Sequence, residues 1–108
     1  MFRSTVKRRV RDGVRVLDAY CPGWAEKIDV AILDIHWPEV CILGQLPGGF
    51  FGTSTKMGIR NRTVDHGFCA TGSADNKALV KEWTRVIQRK RVNWRRGVCR
   101  IVLRRWDL

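Results

Sequence analysis

The stretch LDAYCPGWAEKIDVAILDIHWPEVCILGQL, residues 17–46, decides the fold, because it holds most of the large apolar residues that are not interleaved with arginine. We expect it to form the core as a series of packed short elements. It contains three aspartates that each follow a Leu or Ile, at Asp18, Asp29 and Asp34. Such steps commonly begin or end short helical turns, where the carboxylate accepts from free backbone N–H groups. No spacing here matches a catalytic constellation, so we expect neither an enzymatic activity nor a cofactor.

The 108 residues are expected to form a single domain, long enough to bury one modest core. Within it we treat residues 92–108 as a basic C-terminal extension. The pattern predicts a small, mainly α domain, in which two longer amphipathic helices enclose short central elements. An α+β domain is the alternative, because the extension fits a strand or hairpin, which we favour, as well as a helix.

Two amphipathic helices are predicted, at residues 5–20 and 76–91, because apolar residues recur there at helical steps. The two apolar stripes are Val6, Val10, Val14 and Leu17, and Leu79, Trp83, Val86 and Ile87. Gly13 falls near the apolar side of the first helix, where a missing Cβ allows close packing. Asp75 is predicted to cap the second helix by accepting from its first-turn N–H groups.

Between the helices the sequence predicts short pieces. The Cys-Pro-Gly step at residues 21–23 ends the first helix, and residues 24–28 form one or two helical turns. Residues 30–35 fit a buried strand and a helical turn equally well. Residues 50–76 are rich in Gly, Ser, Thr and Asn and are predicted to be a loop.

The predicted loop has two features of interest. Its phenylalanines, Phe50, Phe51 and Phe68, are expected to anchor it. Its segment GTSTKMG, residues 52–58, is a candidate functional loop, since loops this long in small domains commonly carry function. The glycines, hydroxyls and lysine of the segment are typical of phosphate-binding loops, but their order is not that of a P-loop.

Positive charge is concentrated at the two ends of the chain. The net charge of +11 divides into +5 for residues 1–15, −2 for residues 16–84 and +8 for residues 85–108. This exceeds what solubility requires, since a net charge of about 2–8 suffices for a small domain. We expect the basic side chains of both ends to meet in one continuous electropositive face, which would attract polyanions.

This face is the predicted nucleic-acid-binding site. Its residues are Lys7, Arg8, Arg11, Arg15, Lys81, Arg85, Arg89, Arg91, Trp94, Arg95, Arg96, Arg100 and Arg104. Basic side chains that neutralise phosphates release condensed counterions, and Trp94 can stack on an unpaired base or on an arginine of the protein itself. No helix-turn-helix, zinc-finger or ribonucleoprotein signature is present, so sequence-specific readout is not expected.

Cysteine and histidine offer weaker candidates. His66 and Cys69 have the spacing of zinc ligands, and a thiol with an imidazole in reach is also a minimal nucleophilic pair. His36 or Cys41 would have to complete a zinc site, and we predict none because these partners are scattered. The cysteines form no paired CxxC, so no disulfide framework is expected. With no apolar run of about 20 residues and no secretory leader, we expect a cytoplasmic protein.

Several short motifs follow one another in a fixed order along residues 17–91. They are Leu17-Asp18, Pro22-Gly23-Trp24-Ala25, Ile28-Asp29, Leu33-Asp34, Cys41-Ile42-Leu43-Gly44-Gln45-Leu46, His66-Gly67-Phe68, and Leu79 with Trp83. In these motifs the chain resembles a family of small uncharacterised proteins encoded by actinobacteriophages, although the arginine-rich end beyond Arg91 has no counterpart there. The resemblance implies a phage origin and a shared core. It implies no mechanism and no catalytic residue.

The sequence therefore predicts a small basic phage accessory protein that binds a polyanion, in the first place DNA or RNA, without sequence-specific readout or catalysis. The alternative is a host-takeover or anti-defence protein whose basic ends meet an acidic host protein or a small phosphorylated ligand. A third interpretation is binding to an anionic membrane surface, which mixtures of Arg and Trp also suit.

Overall fold

The computed structural model describes the backbone of residues 2–93 and the side chains of residues 6–92. Within these residues the chain forms three α-helices, α1 (Phe2–Tyr20), α2 (Gly49–Lys56) and α3 (Ser73–Asn93), and a short 3₁₀ helix at Trp24–Lys27. No strand occurs between residues 2 and 93, so the prediction of a mainly α domain is confirmed for this part of the chain. The predicted C-terminal hairpin falls on residues that the structure does not describe.

Helices α1 and α3 pack against each other in parallel. Arg9 of α1 pairs with Asp75, in the first turn of α3, at 2.8 Å. Further along both helices, Asp18 pairs with Lys90 at 3.0 Å. Since the contacts advance along α1 and α3 together, the two helices run in the same direction.

Gly13 allows α1 to approach α3 closely, as the sequence predicted. A Cβ atom at this position would lie 2.9 Å from the ring of Trp83 and would collide with the carbonyl oxygen of His66. Val10 and Leu17, on either side of Gly13 along the apolar stripe, are buried. The missing side chain therefore lets the α1 backbone rest directly on the aromatic core.

Trp83 stands at the centre of that core and is fully buried. Its ring meets Trp24 edge to face, with centroids 5.7 Å apart, and stacks on Phe68 at 5.5 Å. Its Nε1 donates to the carbonyl oxygen of Gly67 at 2.7 Å, so the buried N–H is satisfied. Trp24 is satisfied likewise, because its Nε1 donates to Asp18 at 2.9 Å.

The stretch at residues 17–46 contributes many buried side chains to the core, largely without regular secondary structure. Its aspartates behave as predicted at two positions, because Asp29 accepts from the N–H of Ala31 at 3.0 Å and Asp34 from that of His36 at 2.9 Å. These carboxylates close short turns where a helix or strand would otherwise supply backbone hydrogen bonds. The sequence allowed either a buried strand or a helical turn at residues 30–35. The structure has turns there and no strand.

The prediction of a loop at residues 50–76 is wrong at both ends, because α2 begins at Gly49 and ends at Lys56 and α3 begins at Ser73. Thr53 and Ser54 are buried, and their hydroxyls donate to the carbonyl oxygens of Pro47 and Phe51 at 3.1 and 3.2 Å. Because these carbonyl oxygens satisfy the hydroxyls, a helix of this loop-like composition can bury Thr53 and Ser54. These two hydroxyls are turned inward, so they cannot take part in binding a phosphate.

The phenylalanines of this region behave differently from one another. Phe68 is fully buried and Phe50 is half-buried, as expected of anchors, but Phe51 is 63% exposed. The guanidinium carbon of Arg60 lies over the Phe51 ring, 5.5 Å from its centroid. Phe51 therefore belongs to the surface and not to the core.

Asp75 does not cap α3 from outside, because the helix begins two residues earlier, at Ser73. From within the first turn its carboxylate reaches back and accepts from the N–H of Thr71 at 2.8 Å. The negative charge still lies near the positive end of the helix dipole, as a cap would place it. The hydrogen bonds from Arg9 hold the pKa of Asp75 below its usual value.

Candidate nucleic-acid interface

The outer face of α1 carries four of the predicted site residues, all exposed. They are Lys7, Arg8, Arg11 and Arg15. Successive residues of an α-helix are about 100° apart, so the positions two before and two after a residue point away from it. Arg11 and Arg15 hold these positions relative to Gly13, which faces α3. The ion pair on this face joins Arg11 to Asp12 at 3.9 Å between exposed groups, so it neutralises little charge.

The outer face of α3 carries a second basic row with a spacing of four residues. Its members are the exposed Lys77, Lys81, Arg85 and Arg89. Lys77 was not among the predicted residues, although the four-residue step from Lys81 points to it. Glu82 pairs with Arg85 at 2.5 Å, and this hydrogen bond raises the pKa of the guanidinium. One of the four charges on this face is therefore matched by a carboxylate of the same helix.

The outer faces of α1 and α3 point away from each other. Gly13 of α1 meets Trp83 of α3, and basic residues stand two positions before and after each of them. Since those positions lie opposite the contact on both helices, the two basic rows occupy opposite sides of the helix pair. The described residues therefore form two separate basic faces, not the single continuous face that we expected.

Arg91, another predicted site residue, holds the fold together. Its Nε donates to the carbonyl oxygen of Ala25 at 3.0 Å, and its Nη2 donates to that of Ile28. Its guanidinium also lies 3.8 Å from the carboxylate of Glu26. These contacts join the end of α3 to the 3₁₀ helix, so Arg91 is not available to a phosphate without breaking them.

Arg9 also has a structural role that the sequence did not reveal. Its guanidinium donates to the carbonyl oxygens of Val64 at 2.7 Å and Cys69 at 2.9 Å, and pairs with Asp75. It thereby joins α1, the connection before α3 and α3 itself. One feature of the sequence could have indicated this role. Arg9 directly precedes Val10 of the apolar stripe, and this position lies at the edge of the buried face.

The other predicted site residues lie outside the part of the chain that the structure describes. They are Trp94, Arg95, Arg96, Arg100 and Arg104. Their roles remain predictions from the sequence. Within the described residues, the candidate interface therefore consists of the outer faces of α1 and α3.

The candidate thiol and zinc chemistry gains no support from the geometry. Among the described residues, no three His, Cys, Asp or Glu side chains are grouped as metal ligands. His66 instead places Nδ1 2.8 Å from the carbonyl oxygen of Arg62. Burial raises the pKa of Cys41, which favours the thiol over the nucleophilic thiolate. Cys21, Cys41 and Cys69 are free thiols.

Comparisons with known proteins give no match from which a function could be transferred. No family model matches the chain, and no curated protein or solved structure is significantly similar to it. In the described part of the chain, no helix combines the length and the apolar character needed to cross a membrane.

Proposed function

We propose that this chain is a small basic bacteriophage protein that acts in the host cytoplasm and binds nucleic acid through its phosphates. It does so without reading the base sequence and without catalysis. The phage origin rests on the resemblance over residues 17–91, and the host cytoplasm rests on that origin. The partner rests on the net charge of +11 and on the outer face of α1.

The outer face of α1 is the observation that carries the proposal. Its four basic side chains run from Lys7 to Arg15, about 12 Å along the helix axis. Duplex DNA carries about seven phosphate charges over that length. An exposed row of cations beside such a charge density gains affinity by releasing counterions, and this gain requires no contact with the bases.

Two features favour α1 over α3 as the main contact surface. Among the described residues, the outer-face cations of α1 have only Asp12, 3.9 Å from Arg11, as an ion-pair partner, whereas Arg85 of α3 is held by Glu82. The backbone of α1 is also fixed to the body of the protein at Arg9 and Gly13. A surface that is already ordered loses less conformational entropy on binding.

Recovery of partners from the bacterial host, with and without nuclease, tests the class of partner. We expect material that is retained by the protein and lost after nuclease treatment. Capture of a host protein that survives nuclease, together with no DNA or RNA binding at low salt, would instead support the host-protein alternative. Flotation with anionic liposomes tests the membrane-surface interpretation in the same way.

Two matched triple variants test the contact surface. Arg8→Gln/Arg11→Gln/Arg15→Gln and Lys77→Gln/Lys81→Gln/Arg89→Gln each remove three charges, from the outer faces of α1 and α3 respectively. We expect the α1 variant to lower the affinity for a labelled duplex at low salt by at least about tenfold, and the α3 variant by much less. A larger loss in the α3 variant, or no loss in either, would contradict the assignment to α1.

A further inference from the structure

The exposed side of α2 combines an aromatic ring with a cation and small side chains. Phe51 is 63% exposed, Thr55 is exposed one turn later on the same side of the helix, and Lys56 is exposed about 100° further round. Thr53 and Ser54 hold the opposite side and are buried. The arc from Phe51 to Lys56 is therefore available to a ligand, while the other side of α2 attaches the helix to the core.

Arg60 brings a second cation to this surface. The N–H of Ile59 donates to the carbonyl oxygen of Ser54 at 3.1 Å, so the chain after α2 folds back beside the helix. Arg60 then lies over the Phe51 ring, 5.5 Å from its centroid. Phe50 meets the same ring edge to face at 5.3 Å. The exposed ring thus has a defined orientation beside a guanidinium.

The charges of the segment that carries this surface favour an anionic ligand. Residues 40–64 contain no Asp or Glu, but they contain Lys56, Arg60 and Arg62, all exposed. A Cβ atom added at Gly52 would meet no other part of the protein within 4 Å, so the surface is open at this position. A ligand can therefore approach the ring without meeting a repelling carboxylate of this segment.

We propose that Phe51, Lys56 and Arg60 form a binding site for single-stranded nucleic acid. Arg60 lies over one face of the Phe51 ring, so an unpaired base stacks on the other face, and the neighbouring phosphates pair with Lys56 and Arg60. Every base has a π-face, so stacking on an aromatic ring is tolerant of sequence, and an adjacent cationic groove tracks the backbone. A duplex cannot use this site, because its bases are already stacked on each other.

This site goes beyond the outer face of α1 and rests on the proposed function only in that both surfaces bind nucleic acid. The outer face of α1 offers phosphate contacts alone, which single strands and duplexes both satisfy. The α2 surface adds stacking, which only unpaired bases satisfy. The inference therefore assigns to this chain a preference for single strands.

Trp37 provides a matched control for Phe51. It is 61% exposed, but its segment carries the exposed Glu39 and the carboxylate of Asp34, whose main-chain oxygen accepts from the N–H of Trp37 at 3.4 Å. Negative charge around Trp37 opposes phosphate. Removal of this ring takes away an exposed aromatic side chain of comparable exposure without touching the proposed site.

The test compares the wild-type chain with Phe51→Ala, Phe51→Trp and Trp37→Ala. Fluorescence anisotropy at low salt measures binding to a labelled oligothymidine of about 20 nucleotides and to a duplex of equal length. We expect Phe51→Ala to weaken oligothymidine binding by about fivefold or more and to leave duplex binding unchanged. Phe51→Trp should retain the affinity, Trp37→Ala should behave as wild type, and circular dichroism should show all variants folded.

Each outcome decides for or against the site. If Phe51→Ala binds oligothymidine as wild type does, the α2 site is refuted, while the α1 surface stands or falls by its own triple variant. If Phe51→Ala weakens duplex and single-strand binding equally, stacking on Phe51 is not the cause and the inference is again wrong. If the wild-type chain binds neither probe at low salt, the proposed function and this inference fail together.

Discussion

The inner and outer faces of the α1–α3 pair use the same residue type for different purposes. Arg9 has an exposed side-chain fraction of 11% and pairs with Asp75. Arg11, only two positions further along α1, is 63% exposed and makes one long contact. The position of an arginine relative to the apolar stripe therefore decides whether it stabilises the fold or is free to contact a ligand. Its membership in a basic block does not decide this.

The largest expected difference between the two faces lies on α3. Trp83→Ala removes the central ring of the inner face and should lower the free energy of unfolding by about 3–5 kcal/mol. Lys81→Ala, two positions earlier on the outer face, should change it by less than about 0.5 kcal/mol. Urea unfolding followed by circular dichroism measures both. Similar values for the two variants would show that the faces are not distinct.

The two arginines of α1 provide a sharper form of the same comparison. Arg9→Ala leaves Asp75 and two carbonyl oxygens without their charged donor, so we expect a loss of about 1.5–3 kcal/mol in the free energy of unfolding. Arg11→Ala should again fall within about 0.5 kcal/mol of wild type. The same unfolding experiment tests both variants. Equal stability of the two would mean that the Arg9 contacts do not hold α1 to α3.

A smaller effect is expected in the pH dependence of stability. Since Arg9 lowers the pKa of Asp75 in the folded protein, the carboxylate stabilises the fold at pH values above its unfolded pKa. This contribution is lost as the pH falls through the folded pKa. The stability of the wild-type protein should therefore approach that of Asp75→Asn as the pH is lowered from about 6 to about 3. A difference between them that does not shrink over this range would contradict the pairing.

The sequence predicted the parts of the fold that depend on periodicity. The stripes through Val10 and Leu17 in α1 and through Leu79 and Trp83 in α3 are buried as expected. Gly13 was also placed correctly, because its position on the stripe indicated a close contact. A helical spacing of apolar residues can be seen in the local sequence, and the packing of both helices is consistent with it.

The sequence did not reveal α2, because residues such as Thr53 and Ser54 are typical of loops. Their hydroxyls are satisfied by the carbonyl oxygens of Pro47 and Phe51, and that arrangement exists only after folding. Phe51 was expected to anchor the chain for the related reason that a phenylalanine is commonly buried. Its exposure depends on the direction in which α2 is attached to the core.

The candidate site was predicted in composition but not in arrangement. Charges at the two ends of the chain indicate a basic protein, but they do not tell where folding places each charge. The parallel contact between Gly13 and Trp83 turns the two basic rows to opposite sides. The contacts of Arg91 with Ala25 and Ile28 also depend on the fold, since no pattern in its basic block separates it from Arg89.

The salt dependence of duplex binding tests the central claim most directly, because it counts the phosphate contacts that each face makes. For the wild-type chain and the two triple variants, the logarithm of the binding constant is measured against the logarithm of the salt concentration. If Arg8, Arg11 and Arg15 each neutralise a phosphate, the slope of the α1 variant should be shallower than that of wild type by about 2–3. The α3 variant should keep the wild-type slope within about 1. A wild-type slope in the α1 variant would contradict the account.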